Sequence, residues 1–62
     1  KPSNVKDMRR RIAKMARLNR NGRIMRADVD ESYQGWRDHA SKGDSFGLIR
    51  RSDAWYKGLW KE

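Results

Sequence analysis

The chain has 62 residues, of which 35% are hydrophobic and 39% are charged, and its formal net charge is +8. A chain this short has room for one domain, whose small core supplies no more than about 3–5 kcal/mol of net stability. It has no cysteine, which excludes disulfides and fits a reducing, intracellular setting. Three tryptophans, two tyrosines and a phenylalanine argue against disorder.

The positive charge is concentrated at one end of the chain. Residues 1–23 hold nine basic residues and one acid, whereas residues 24–62 hold seven of each. A field of this kind attracts polyanions, so a phosphate backbone is the predicted partner. No apolar run approaches the roughly 20 residues that span a membrane, and we expect no membrane association. Because the sequence begins with Lys1 rather than methionine, we expect it to be a piece of a longer protein.

The first predicted helix covers about residues 5–19. Asn4 is the expected N-cap, and Asp7 suits the positive end of the helix dipole. Apolar residues recur at three- and four-residue steps and predict the buried face. This stripe consists of Val5, Met8, Ile12 and Met15. The pair Asn21-Gly22 predicts the end of the helix, because both residues tolerate the left-handed conformation.

The second predicted helix covers about residues 26–41. Three acids crowd its start, where the helix dipole favours them; these are Asp28, Asp30 and Glu31. Its apolar stripe consists of Val29, Tyr33, Trp36 and Ala40. We expect Tyr33 and Trp36 to lie in the core, because so small a domain needs its rings inside. Lys42-Gly43 predicts the end of the helix.

The third predicted helix covers about residues 45–60, with Asp44 or Ser45 as its cap. Its apolar residues fall on two sides rather than one. Phe46, Ile49 and Tyr56 lie along one side, and Leu48, Trp55 and Leu59 lie along the other. Short connections favour antiparallel neighbours. The sequence therefore predicts an all-α fold, a small three-helix bundle formed by one domain over residues 1–62.

The polar side of the first predicted helix carries a dense group of cations. At about 100° per residue, this group clusters opposite the apolar stripe. Its centre is Lys6, Arg10, Lys14 and Arg17, and Arg9, Arg20 and Arg11 flank it. Most charged helix faces are simply solvated, but those mix signs. Here no carboxylate stands four residues from any of the four central cations to offset the repulsion, and Asp7 has that spacing only to the flanking Arg11. Because arginine forks bind phosphate oxygens in pairs, we predict that this face contacts phosphates.

Nothing in the sequence predicts catalysis by this chain. His39 is the single histidine, and there is no cysteine or second histidine to complete a metal-ligand pair. No spacing suggests a nucleophile with its base, and the glycines match no phosphate-binding loop. We therefore assign no catalytic residue, no metal site and no cofactor.

The order of residues around the second helix resembles bacterial reverse transcriptases, in the region after the catalytic palm. The likeness is to the retron, group II intron and diversity-generating retroelement enzymes, and it covers roughly residues 6–60. The matching segments are Asn21-Gly22-Arg23-Ile24, Asp28-Val29, Ser32-Tyr33-Gln34-Gly35-Trp36, His39-Ala40, Gly43-Asp44-Ser45-Phe46, Leu48, Trp55-Tyr56-Lys57 and Leu59-Trp60. Arg37-Asp38 stands where the family pattern has a hydrophobic residue and a glycine, and the Asp-Asp motif of the polymerase palm is absent.

The resemblance implies a thumb, a helical subdomain that grips the primer–template duplex of an RNA-directed DNA polymerase. It implies an RNA–DNA or RNA duplex as the partner, contacted through its backbone, together with the palm of the parent polymerase. We expect a monomer in the cytoplasm of a bacterium. The expected central phosphate contacts are Arg10, Lys14 and Arg17, supported by Arg9, Arg11, Arg20 and Arg23.

Two other functions remain open on the sequence alone. A free-standing DNA-binding module of the helix-turn-helix kind needs a recognition helix, but the acidic start of the second helix would be repelled by DNA. A basic amphipathic first helix could instead bind an anionic membrane surface or another protein. That alternative requires the apolar stripe of the first helix to be exposed.

Overall fold

The computed structural model describes residues 5–43 and 46–61, and of Phe46 only the backbone. It contains the helices α1 (Val5–Arg20), α2 (Arg26–Ser41) and α3 (Phe46–Leu59), with no strand in the described segments. The predicted all-α three-helix bundle is confirmed, and the observed helix ends lie within about one residue of the predicted ones. The expected caps Asn4, Asp44 and Ser45 lie outside the described residues.

The turn after α1 follows the prediction from Asn21-Gly22. Gly22 has φ 76°, the left-handed conformation that a glycine adopts without steric cost. The Arg23 N–H donates to the Leu18 carbonyl at 2.9 Å, and the Gly22 N–H donates to the Asn19 carbonyl at 3.0 Å. These two bonds form a Schellman motif, which satisfies carbonyls at the end of α1. The chain therefore reverses within a few residues, and α2 returns along α1.

The start of α2 is held by one of its predicted acids. The Asp28 carboxylate accepts a hydrogen bond from the Met25 N–H at 3.1 Å. Asp28 also lies in the first turn of α2, where its charge suits the helix dipole. A carboxylate at this position therefore stabilises the helix start in two ways.

The core lies between α1 and α2 and is closed by α3. Its buried hydrophobic residues are Met8, Ile12, Ala16, Val29, Tyr33, Ala40 and Ile49. Val5, Met15 and Trp36 are partly buried at the edge of this cluster. The stripes predicted for the first two helices are therefore the faces that pack, and the expected inward position of Tyr33 is confirmed.

The two-sided pattern of α3 arises because this helix contacts both of its neighbours. Trp55 lies beside Arg9 of α1, whereas Tyr56 stacks on Tyr33 of α2. Ile49 and Ser52 are buried between these two contacts. A helix that touches two partners divides its large side chains between them, so no single stripe is expected.

Candidate nucleic-acid interface

The outer face of α1 is exposed and positively charged. We call the side chains of Arg10, Arg11, Lys14 and Arg17 the α1 cationic face; all four are exposed. No carboxylate in the described segments forms an ion pair with them. Burial of Met8 and Ile12 fixes the rotation of α1, so the opposite side of the helix must face solvent. Arg23, just beyond the turn, is exposed as well.

Two of the cations predicted to support phosphate binding lie elsewhere, at the contact between α1 and α3. The Arg9 guanidinium lies 5.5 Å from the centre of the Trp55 ring. Arg20 Nη2 donates to the Leu59 carbonyl at 2.8 Å, which satisfies an acceptor at the end of α3. Both side chains therefore hold α3 against α1, and their positive charges remain part of the surface field.

The outer face of α2 carries the opposite sign. Glu31 and Asp38 are exposed on it, and Asp28 is exposed at its start. A polyanion near these carboxylates would be repelled. The surface charge is therefore unevenly distributed: Glu31 and Asp38 lie on the outside of α2, and the largest group of cations lies on the outside of α1, a helix whose one acid is the exposed Asp7.

A polar network joins α2 to α3. The Tyr33 hydroxyl donates to Asp53 Oδ1 at 2.6 Å, and Arg37 donates to Asp53 through Nε and Nη2, each at 3.1 Å. The hydrogen bonds from Arg37 are the main cause of a lowered pKa for Asp53. Burial, followed by the hydrogen bond to Asp53, raises the pKa of Tyr33. Arg37, which departs from the reverse-transcriptase pattern, thus has a structural role here.

A second polar contact lies nearer the end of α3. The Tyr56 hydroxyl donates to Asp30, and the Tyr56 ring stacks on Tyr33 with 4.2 Å between ring centres. Burial and the bond to Asp30 raise the pKa of Tyr56 to about 12. Arg26 lies over the Trp60 ring at 4.2 Å. Asp30 was predicted as a helix-start residue, and in the structure it also binds α3.

Sequence reasoning missed this interface and the roles of its acids. A signal was present, because Tyr33 and Arg37 are four residues apart and therefore share one edge of a helix. Their partner, Asp53, follows them by 20 and 16 residues. Choosing Asp53 among the acids requires knowing which side of α3 meets α2, and the apolar pattern of α3 leaves that open.

The described residues show no metal-binding arrangement. Within residues 5–43 and 46–61, no three histidine or acidic side chains are grouped so that they could hold a metal ion. His39 is exposed near the end of α2. None of the described helices is long and apolar enough to cross a membrane. The expected absence of a cofactor stays a prediction.

Comparison with known proteins gives no significant match to this chain, whether with protein families, curated proteins or solved structures.

Proposed function

We propose that this chain binds a nucleic-acid duplex through its backbone phosphates. In this proposal it is a thumb-like part of a bacterial, cytoplasmic RNA-directed DNA polymerase, and it holds an RNA–DNA or RNA duplex beside the palm of the same enzyme. The observation that carries the proposal is the α1 cationic face, which is exposed and has no carboxylate partner in the described segments. The reverse-transcriptase resemblance supplies the identity of the parent enzyme.

The α1 cationic face suits a phosphate backbone more than a base sequence. Arginine forks form two parallel bonds to phosphate oxygens, whereas lysine acts as a mobile point charge. Contacts of this kind set the position of a duplex and carry no sequence information. The chain would therefore bind duplexes of unrelated sequence with similar affinity, as a grip on a moving primer–template requires.

Burial in α1 and charge on α2 weigh against the two alternatives. Met8 and Ile12 are buried, so the apolar stripe of α1 is occupied by the core and is not presented to a membrane. Among the large hydrophobic side chains that the structure describes, Met25 is the exposed one, at 71%. Glu31 and Asp38 on the outside of α2 are unfavourable for a helix entering a DNA groove.

The test is duplex binding measured across a salt series with the triple variant Arg10→Gln, Lys14→Gln and Arg17→Gln. Each lost phosphate contact reduces the dependence of log affinity on log salt by about 0.9 units. We therefore expect a slope flatter by two to three units, roughly equal for RNA–DNA duplexes of unrelated sequence. An unchanged slope and affinity would remove the α1 cationic face from the binding site.

A matched pair of single variants separates position from net charge. Lys14→Gln removes a cation from the α1 cationic face, and Lys42→Gln removes one from the end of α2; both lysines are exposed. We expect Lys14→Gln to reduce the salt slope by about one unit and Lys42→Gln to leave it nearly unchanged. Equal losses would show that binding follows the net charge alone.

A further inference from the structure

The outer face of α3 is a second positively charged surface. Counting charges along the chain does not reveal it, because residues 24–62 contain equal numbers of acids and bases. Arg50, Arg51 and Lys57 are exposed on α3, and Lys61 is exposed just after it. We call these four residues the α3 cationic face. In the described part of the chain, no carboxylate forms an ion pair with any of them.

The fold creates the α3 cationic face by pairing the acid of this helix with side chains of α2. Asp53 is the acidic residue within Phe46–Leu59, and its carboxylate binds Arg37 and Tyr33 of α2. Its negative charge is therefore compensated at the interface between α2 and α3. Lys57 follows Asp53 by four residues, so the two lie about 40° apart on a helical projection, and Lys57 is on the side of the face toward α2.

The two cationic faces belong to neighbouring helices and adjoin the same contact. Arg9 and Arg20 of α1 reach α3 at Trp55 and Leu59. On a helical projection of α1, Arg17 is rotated about 60° from Arg20, away from the core and toward solvent. On α3, Arg51 is rotated about 40° from Trp55, again toward solvent. Arg17 and Arg51 therefore border the seam between α1 and α3 from opposite sides. The acids on the outside of α2 lie away from this seam.

We propose that the α3 cationic face is a second phosphate-binding surface, and that a single duplex spans both faces with one strand on α1 and the other on α3. This inference rests on the proposed function and adds the residues Arg50, Arg51, Lys57 and Lys61 to the interface. Charge complementarity supports it, because the four cations are exposed and the nearby carboxylate of Asp53 is already paired with Arg37, which leaves a net positive surface that matches a polyanion. Packed helices lie about 8–10 Å apart. This spacing is of the same order as the separation of the two strands across a duplex groove, which is about 6–12 Å in B-form DNA.

A duplex fits this arrangement better than a single strand does. The two rows of phosphates in a duplex are held at a fixed spacing. When one strand binds α1, the other strand is therefore already positioned to bind α3. A single strand offers one row and gains nothing from the spacing. The α3 cationic face should therefore contribute more to duplex binding than to binding of the same sequence as a single strand.

The first test is a charge-balanced variant. Arg50→Gln and Arg51→Gln remove two cations from α3, and Glu31→Gln and Asp38→Asn remove two acids from the outside of α2, so the net charge stays at +8. All four positions are exposed, and circular dichroism should confirm that the fold is kept. We expect the salt slope for an RNA–DNA duplex to flatten by about two units, with little change for the matched single strand.

The second test adds a carboxylate instead of removing a cation. Ala54 is exposed in the middle of the α3 cationic face, and Ala54→Glu and Ala54→Gln differ in one charge and little in size. We expect Ala54→Glu to weaken duplex binding relative to Ala54→Gln. Equal binding by the two variants would contradict the inference.

The outcomes separate this inference from the proposed function. Loss of duplex binding in the α1 triple variant, with none in the charge-balanced α3 variant, would overturn the second surface and leave the first intact. Equal losses for single strand and duplex would overturn the spanning of two strands. If the α3 variant lost affinity for vesicles containing phosphatidylserine while keeping its duplex affinity, α3 would be a membrane-facing surface and the inference would be wrong. No loss in either variant would overturn both proposals.

Discussion

Helix α2 packs against α1 through apolar side chains and against α3 through aromatic rings that carry polar groups. Met8 and Ile12 meet Val29 in the first interface. In the second, the hydroxyls of Tyr33 and Tyr56 bind Asp53 and Asp30. The first interface contributes burial alone, whereas in the second Arg37 also compensates the charge of Asp53.

This difference explains how the surface charge of the bundle arises. The residues after Arg23 contain as many acids as bases, and a count along the chain predicts no field from them. The interface between α2 and α3 holds Asp30 and Asp53, and the outside of α2 holds Glu31 and Asp38. The cations of α3 are left at the surface, and none of them forms an ion pair with a carboxylate among the described residues. Internal packing therefore helps determine the sign of the external field.

The largest effect is expected where the two interfaces meet. Tyr33 is only 4% exposed, belongs to the core cluster and binds Asp53. We expect Tyr33→Ala to cost about 3–5 kcal/mol, comparable to the whole stability of so small a domain. The chain should then be largely unfolded by far-ultraviolet circular dichroism. Gln34→Ala, at the exposed neighbouring position, is the control and should stay folded. A cooperatively folded Tyr33→Ala chain of near-normal stability would contradict the assigned core.

A smaller effect is expected from neutralising Asp53 alone. Asp53→Asn keeps the size of the side chain but removes the charge that Arg37 binds, and we expect a loss of about 1–3 kcal/mol in denaturant unfolding at neutral pH. Asp38→Asn, on the exposed side of α2, should change stability by less than about 0.5 kcal/mol. Equal stability of the two variants would show that the network between α2 and α3 contributes nothing net.

The same carboxylate predicts a pH dependence on the acid side. The folded state lowers the pKa of Asp53, so its contribution is present above the ordinary aspartate pKa of about 3.9 and is lost as the pH falls through the folded value. The wild type and Asp53→Asn should therefore differ in stability at neutral pH and converge in acid. If the difference in stability between the wild type and Asp53→Asn stayed constant down to low pH, the stabilisation would not come from the charge of Asp53.

The tyrosines predict a corresponding loss of stability on the alkaline side. The folded state raises the pKa of Tyr33, and it raises that of Tyr56 to about 12. The neutral hydroxyls therefore stabilise the fold below the ordinary tyrosine pKa of about 10, and this stabilisation is lost as the pH rises above it. Phenolate absorbance should appear at higher pH in the folded chain than in urea. Coincident titrations would contradict the burial of these tyrosines and their hydrogen bonds to Asp53 and Asp30.

The smallest expected change is a gain in stability. Ser52 is fully buried, and its hydroxyl has no hydrogen-bond partner within the described structure. A buried unpaired polar group costs about 1–3 kcal/mol, and alanine removes it with little loss of packing. Ser52→Ala should therefore raise the free energy of unfolding by about 1 kcal/mol. A clear loss of stability would indicate that the hydroxyl has a partner after all.

The sequence predicted those features that depend on residues close together in the chain. The steps between Met8 and Ile12, and between Val29 and Tyr33, specify which faces pack, and Gly22 specifies where α1 ends. The α1 cationic face follows directly, because it lies opposite the buried stripe. These inferences need only helical geometry.

The unpredicted features depend on where α3 docks. Arg9 and Arg10 are adjacent in the sequence, yet Arg9 packs on Trp55 while Arg10 faces solvent. The helical projection places Arg10 at the centre of the cationic group and Arg9 at its flank, but which flank meets a partner depends on a helix more than 35 residues away. The pairing of Asp53 with α2 has the same origin, and so does the α3 cationic face.

The most direct test of the account is the salt dependence of binding by the unmodified chain to RNA–DNA, RNA–RNA and DNA–DNA duplexes of unrelated sequence. Two cationic faces that hold backbone phosphates predict binding that weakens steeply with salt and ignores sequence. The proposed thumb function adds a preference for the A-form-like duplexes that contain RNA. Absence of binding at low salt, or affinity that depends on one base sequence, would contradict the central claim.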